Sequence, residues 1–246
     1  MNKPTILFLF NSSDYAPQPW LNDGRFNCVS VDYDDTDHSG AHRTPSEGHT
    51  VLNIDLSKVA ACGDVRAALR ALDMHYPSLV ISFAPCTDLA VSGAAHFARK
   101  KQANPRFQHD ATRMARLAEE FDCPYVVENP VSVLATTWRK PNVYVHPWQF
   151  SYLYVEYWLQ ASHPEFPDII PDFDWYNKKT GLWFGNGFKL PRYDTTNGPT
   201  GDFPGHVKLG GKSARTKYIR SLTPRSFAYA FYKGNCDNVL RGFDNG

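Results

Sequence analysis

The sequence predicts an open, mostly parallel α/β sheet followed by an aromatic, loop-rich extension. Three observations lead there. Short apolar runs alternate with helical patterns over the first 130 residues, as crossover units require. Several runs are apolar on consecutive positions, so they suit strands covered on both faces. After about Lys140 the pattern changes to Trp, Tyr, Phe, Pro, Asp and Gly, with few helical repeats.

Thr5–Phe10 is the first buried strand. Phe26–Asp32 and Thr50–Asp55 are the second and third, and each ends on an acid. Asp64–Met74 has helical spacing, with Val65, Leu69 and Leu72 on one face. Ser78–Phe83 is a fourth strand that runs directly into Ala84-Pro85-Cys86. Gln108–Phe121 reads as a helix with Met114, Leu117 and Ala118 inward, and Pro124–Val127 as a fifth strand before Glu128-Asn129-Pro130. In the second half, Val143–Val145 and Gly181–Phe184 are strands. Pro224–Gly234 is a final helix with Pro in its first turn and Gly at its end. The expected division is a catalytic core over 1–140, an aromatic insertion or small lobe over 141–205, and a basic segment over 206–246 that returns to the core.

Composition narrows the function classes. The 246 residues carry 26 Lys+Arg against 25 Asp+Glu, and 42% are hydrophobic, which excludes wholesale disorder. Near-neutrality argues against coating nucleic acid by bulk charge. The charges are segregated, however. Acids gather at Asp32, Asp34, Asp35 and Asp37, and His206–Arg225 holds six basic residues and no acid. The apolar run Ile6–Phe10 is too short for a signal peptide, and no stretch reaches the roughly 20 apolar residues of a membrane helix. Five widely spaced cysteines without a CxxC fit a reducing cytoplasm. Nine histidines show no HExxH or paired ligand spacing, so no metal is expected.

Ligands of open α/β sheets collect at the carboxyl ends of the strands. Asn11–Asp14, Asp32, Asp55, Ala84–Thr87 and Glu128–Asn129 all fall there. A carboxylate after the second strand accepts two hydrogen bonds from a ribose diol, and Asp32 is placed for that; capping of a turn is the competing role. Asp55 also has a competing role, as a cap for the helix that follows. Cys86 lies at the mouth of the crevice, where a nucleophilic thiol needs partial exposure and a lowered pKa. Glu128 arrives from the next strand at the same edge. A Cys and a Glu over one ligand suit covalent attack with a proton donor nearby.

Pro85-Cys86-Thr87-Asp88-Leu89-Ala90-Val91-Ser92-Gly93 resembles the Pro-Cys-Gln-x-Phe-Ser-x-x-Gly loop of DNA cytosine-5 methyltransferases, with Pro, Cys and the last Gly in register. Glu128-Asn129-Pro130 is similar to that family's Glu-Asn-Val motif. The strings Pro85–Ala94, Glu128–Val133, Arg139–Pro141 and Pro147–Phe150 resemble small cytosine methyltransferase-like proteins, often phage-encoded. The resemblance implies a Rossmann-like sheet of the S-adenosylmethionine methyltransferase type. It implies S-adenosylmethionine across the ends of the first three strands, held by Phe10, Asn11, Ser12, Ser13, Asp32 and Asp55. It implies catalysis by Cys86 and Glu128, supported by Pro85 and Asn129. Thr87, Ser92 and Gly93 would meet the substrate, and Arg99, Lys100, Lys101, Arg215 and Arg220 the phosphates. Where the family carries a glycine-rich first turn, this chain has Phe10-Asn11-Ser12-Ser13-Asp14-Tyr15. Two alternatives stay open: a pyrimidine nucleotide as the substrate of the same Cys/Glu pair, and a non-catalytic nucleic-acid or protein binder.

Overall fold

A strand covered on both faces must be apolar on both, and β1 (Thr5–Leu9) is buried at all five positions. Its alternate side chains feed two separate clusters: Ile6 and Phe8 one, Leu7 and Leu9 the other. These positions come from a computed structural model that describes residues 3–11, 13–33, 43–58, 76–210 and 213–244. The expected helix Asp64–Met74 lies outside the described residues.

β1 pairs in parallel with β2 (Asn27–Asp32). The next strands in the chain are β3 (Arg43–Ser46), β4 (His49–Asn53) and β5 (Leu79–Phe83), and β4 and β5 extend the parallel array from β2 and β1 respectively. β6 (Tyr125–Pro130) continues it beyond β5. β7 (Val143–Val145) and β8 (Thr180–Gly185) complete one eight-stranded sheet, in the order β3-β4-β2-β1-β5-β6-β8-β7. β8 runs antiparallel to both β6 and β7, and β3 runs antiparallel to β4. The fold is therefore α/β with one mostly parallel sheet. Strand order changes direction between β1 and β5, and a crevice opens there at the carboxyl ends.

Helices cover the two faces unequally. α1 (Gln18–Asp23) follows β1, α2 (Phe97–Ala103) and α3 (Phe107–Arg116) follow β5, and α4 (Ala214–Ser221) and α5 (Arg225–Asp244) close the chain. α3 packs Ala111 and Ala115 against Leu7, Val80 and Val127. On the other face α5 brings Phe227, Ala230 and Phe231 against Ile6, Phe8 and Ile81. Trp20 of α1 is fully buried and meets Phe26 and Tyr232 edge-on at 5.0 and 5.1 Å. Each such large side chain contributes roughly 1.5–3 kcal/mol on burial. Among the described residues no helix is long and apolar enough to cross a membrane.

β7 and β8 bring strands of the 141–205 region into the main sheet. Several expectations are corrected. The third parallel strand ends at Asn53, two residues before Asp55. The helix expected over Gln108–Phe121 is α3 followed by a 3-10 turn over Leu117–Glu120. The last helix does not stop at Gly234 but continues to Asp244. Gly234 sits in its interior because the Lys189 backbone crosses it. A Cβ there would stand 2.2 Å from the Lys189 carbonyl oxygen. Asn235 pins that crossing, accepting from Lys189 N–H and donating to Lys189 C=O, both at 2.9 Å.

Helical Gly→Ala normally stabilises by about 1 kcal/mol. Here the obstacle is backbone, so Gly234→Ala is expected to destabilise by about 1–3 kcal/mol. Urea midpoints of the two proteins check the sign.

Candidate active site

The chain leaves β1 through a left-handed residue. Phe10 has φ 57°, a conformation that glycine adopts without strain and other residues rarely do. The sharp turn that a glycine-rich motif would make is thus made by Phe10. Its ring packs against the α3-side core, and a buried polar chain holds the residues after it. Asn11 N–H donates to Val31 C=O at 3.3 Å. The Asn11 amide donates to Ser13 C=O at 2.9 Å and to Ser30 Oγ at 3.1 Å. Ser30 Oγ lies 3.0 Å from His49 Nε2. Burial pushes the His49 pKa down, which favours its neutral form. Ser12 lies outside the described residues. Ser13 is buried, its hydroxyl has no hydrogen-bond partner, and it lines the crevice.

The crevice holds about 620 Å³, a volume suited to a small-molecule or nucleotide ligand. Asp32 lines it from the end of β2, and Pro85, Cys86 and Thr87 from the end of β5. Glu128 lines it from β6, in register with Phe83 on β5. Thus two residues 42 positions apart reach one cavity through neighbouring parallel strands. Backbone hydrogen bonds fasten their loops together: Val91 N–H to Val131 C=O at 3.1 Å, and Val133 N–H to Leu89 C=O at 2.9 Å. Asn129 is fully buried and donates to Ala84 C=O at 2.8 Å, immediately before Pro85-Cys86. It holds the carbonyl ahead of the thiol loop and is not among the residues that line the crevice.

Charge in this cavity departs from the expectation for a nucleophile. Cys86 is accessible at the mouth of the crevice, yet desolvation by the protein packed around it pushes its thiol up; the Glu128 charge pushes it further, and Lys178 and Lys100 pull it back only partly. Burial likewise raises the Glu128 carboxyl, against opposing pulls from Lys178 and from the Thr180 hydrogen bond. A proton on Glu128 removes the anion that opposes a thiolate on Cys86.

The remaining expected residues divide. Ser92 and Arg220 line the crevice. Arg220 also donates to Leu209 C=O at 2.7 Å and Gly205 C=O at 3.3 Å, which holds the segment beside it. Lys100 donates to Thr87 C=O and to Asp88, each at 2.6 Å, so it is bound to the thiol loop. Arg99 and Lys101 are exposed on α2. Arg215 lies over the Phe166 ring at 5.7 Å. Gly93 sits in the 3-10 turn Val91–His96, its N–H bonded to Ala90 C=O at 3.0 Å. Asp55 accepts from Ser57 N–H at 3.0 Å and pairs with Lys58 at 3.5 Å, a capping arrangement outside the crevice lining.

Sequence reasoning missed the other wall. Asn177, Lys178, His146, Phe203 and Thr223 all line the crevice. The visible signal was Lys178-Lys179 directly before a strand, but only the insertion of β8 beside β6 turns Lys178 toward Glu128. Lys178 is half-buried, donates to Arg220 C=O at 3.4 Å, and has no carboxylate within 4.0 Å among the described residues.

No family model and no curated protein matches this chain.

A third apolar cluster joins Tyr15, Ile170, Tyr176, Phe203 and Leu222, with Phe166 against it, and it reaches the crevice through Phe203. Tyr15 donates to Glu165, and the buried His163 ring lies 5.0 Å from the Tyr15 ring. His163 Nδ1 accepts from Glu165 N–H and Phe166 N–H at 3.2 and 3.1 Å, which only the neutral form does here. Burial, then Arg225, lowers its pKa to about 4. The unfolded chain therefore takes up this proton first. Stability is full above pH 6.5 and falls as pH drops toward 4, by roughly 3 kcal/mol for this residue. Urea midpoints measured between those limits are expected to slope steeply in the native chain and less in His163→Gln. Equal slopes would refute the assignment.

Proposed function

We propose that the chain is an S-adenosylmethionine-dependent cytosine-C5 methyltransferase that modifies DNA through Cys86. One observation carries the reading: Cys86 and Glu128 line the same crevice at the carboxyl edge of the sheet, next to the end of β2 and Asp32. The open, mostly parallel sheet is of the kind the cytosine methyltransferase resemblance implies. The crevice also fits the cofactor in two respects. Asp32 stands where a ribose diol is bound, and the buried, unpartnered Ser13 hydroxyl marks a polar contact left for a ligand.

S-adenosylmethionine, when bound, supplies an electrophilic methyl group. The chain's own residues do the rest. Cys86 thiolate adds to C6 of the pyrimidine, which makes C5 carbanion-like. Protonated Glu128 donates to N3 and holds the displaced charge. Lys178 reaches the crevice from its other wall and adds a fixed positive charge to that anion. After C5 takes the methyl group, its proton leaves to water and the Cys86 bond breaks. Asn129 keeps Cys86 aimed throughout by fixing the Ala84 carbonyl. A base in duplex DNA must first be turned out of the stack.

A second reading, a free pyrimidine nucleotide as the substrate, is favoured by Lys178. A half-buried ammonium without a described carboxylate partner suits a phosphate as well as a base carbonyl. The test uses methyl-labelled S-adenosylmethionine with single-stranded DNA, duplex DNA and dCMP in parallel. Label on C5 of cytosine in DNA is expected. Label on dCMP alone moves the assignment to the nucleotide. Transfer to none of them, together with no S-adenosylmethionine-induced rise in melting temperature, overturns both.

A further inference from the structure

We propose that Lys100 is the positioning residue of the Cys86 nucleophile: it clamps the turn that carries the thiol and keeps a cation beside it. The inference rests on the reading of Cys86 as the reacting thiol. Cys86 opens a tight turn, with Leu89 N–H and Ala90 N–H both donating to its carbonyl, at 3.0 and 2.8 Å. Upstream, Asn129 holds the Ala84 carbonyl at 2.8 Å. Downstream, Leu89 and Ala90 are buried and the loop is fastened to the Val131–Val133 segment, which leaves exposed Thr87 and partly exposed Asp88 as the solvent-facing part of the turn. A side chain that returns to that part holds it. Lys100 returns from α2 and donates to the Thr87 carbonyl and the Asp88 carboxylate, each at 2.6 Å. The Lys100 and Asp88 side chains are 26% and 37% exposed, so the pair is only half screened. The residue next to the nucleophile is thus fixed by a lysine, 14 positions after the cysteine.

The clamp also carries charge. The charged groups acting on the thiol are Glu128 on β6, Lys178 ahead of β8 and Lys100 on α2, with Asp88 beside Lys100. Of the two cations, Lys100 alone is tied to the thiol's own turn, so its position is set by the same bonds that set the sulfur. It favours the thiolate, and the Asp88 carboxylate paired with it carries the opposite charge. A clamp that only stiffened the turn would act through geometry and would be indifferent to the sign of the charge removed.

The experiment reads Cys86 alkylation by iodoacetamide from pH 7 to 10, with the Cys86 peptide followed by mass spectrometry. It needs neither S-adenosylmethionine nor DNA, so it decides the clamp even where methyl transfer fails. Lys100→Met removes the cation and leaves Asp88 unpaired. The alkylation midpoint is expected to rise, and the rate at pH 8 to fall about threefold, the thiolate fraction lost for a shift of about half a unit. Asp88→Asn removes the opposite charge, and the midpoint is expected to fall. Lys100→Arg keeps the charge and is expected to restore the native profile. Opposite shifts with rescue by arginine support the proposal. Shifts in the same direction, or none, overturn it. If Lys100→Met does not fold, Asp88→Asn and Lys100→Arg still decide: an unmoved Asp88→Asn profile, or an Lys100→Arg profile displaced upward, overturns it.

Discussion

Glu128→Gln is expected to lower methyl transfer by about 10²–10⁴-fold while making the protein more stable. The activity loss follows from the role: a glutamine amide cannot supply a proton to N3 as a carboxylic acid does. The stability gain follows from the sign of the pKa shift. Burial outweighs Lys178 and Thr180 and pushes the carboxyl up, so the folded state binds this proton more tightly than the unfolded chain. Ionising this half-buried carboxyl in the folded chain therefore opposes folding, and the opposition is relieved as pH falls through the raised pKa. Glutamine keeps the shape and the Thr180 contact without the charge. A gain of about 1 kcal/mol corresponds to a rise in melting temperature of roughly 2–4 °C. The gain should shrink as the pH is lowered, because the native carboxyl then becomes neutral as well. A variant that is less stable at pH 7.5, or that transfers methyl groups at the native rate, would remove Glu128 from the mechanism. Opposite movements of rate and stability would mark it as a group kept for chemistry at a cost to the fold.

Cys86→Ser is expected to abolish both methyl transfer and covalent capture of an oligonucleotide containing 5-fluorocytosine. The native thiolate adds to C6 of that base, and after methylation the C5 fluorine cannot leave as a proton. The Cys86–C6 bond therefore persists and is seen as a band that survives denaturation. A serine hydroxyl is a far weaker nucleophile with no general base held against it. Its geometry is nearly the same and residue 86 is exposed, so stability is expected to stay within about 0.5 kcal/mol of native. A covalent band in Cys86→Ser would point to another nucleophile. A native chain that forms no band, with S-adenosylmethionine present and DNA bound, would leave Cys86 without the proposed role. The protein around Cys86 pushes its thiol up in the ligand-free crevice, so the capture rate should also climb with pH.

The two predictions rest on residues that were legible in the chain, and the reason is local. A buried parallel strand needs an uninterrupted apolar run, so Thr5–Leu9 and Leu79–Phe83 announce themselves. The residues just past such a run sit at the ligand edge whatever else the fold does. Cys86 and Glu128 were found in that way. Lys178 was not, because its place depends on β8 pairing antiparallel with β6 about fifty residues away. Lys100 looked like a phosphate-binding residue because a lysine in a basic run reads the same whether it faces solvent or a carbonyl. Asp55 lies two residues past the end of β4 and bonds to Ser57, as the capping role that the sequence also offered requires.

Gly234 and Phe10 form the sharpest contrast between the two levels. Read along the chain, the glycine marked the end of a helix and the phenylalanine the end of a strand. In three dimensions the glycine is interior, with the Lys189 carbonyl against it, and the phenylalanine adopts the left-handed turn that glycine would have made. Sequence alone determined the α/β class, the first five parallel strands of the core and the edge at which chemistry collects. These follow from short-range sterics and from the alternation of apolar side chains. Tertiary structure alone decided which cations face the thiol, which polar groups are used up by the backbone, and that residues 141–205 finish the main sheet. Those outcomes depend on contacts between distant segments, whose register no local pattern encodes.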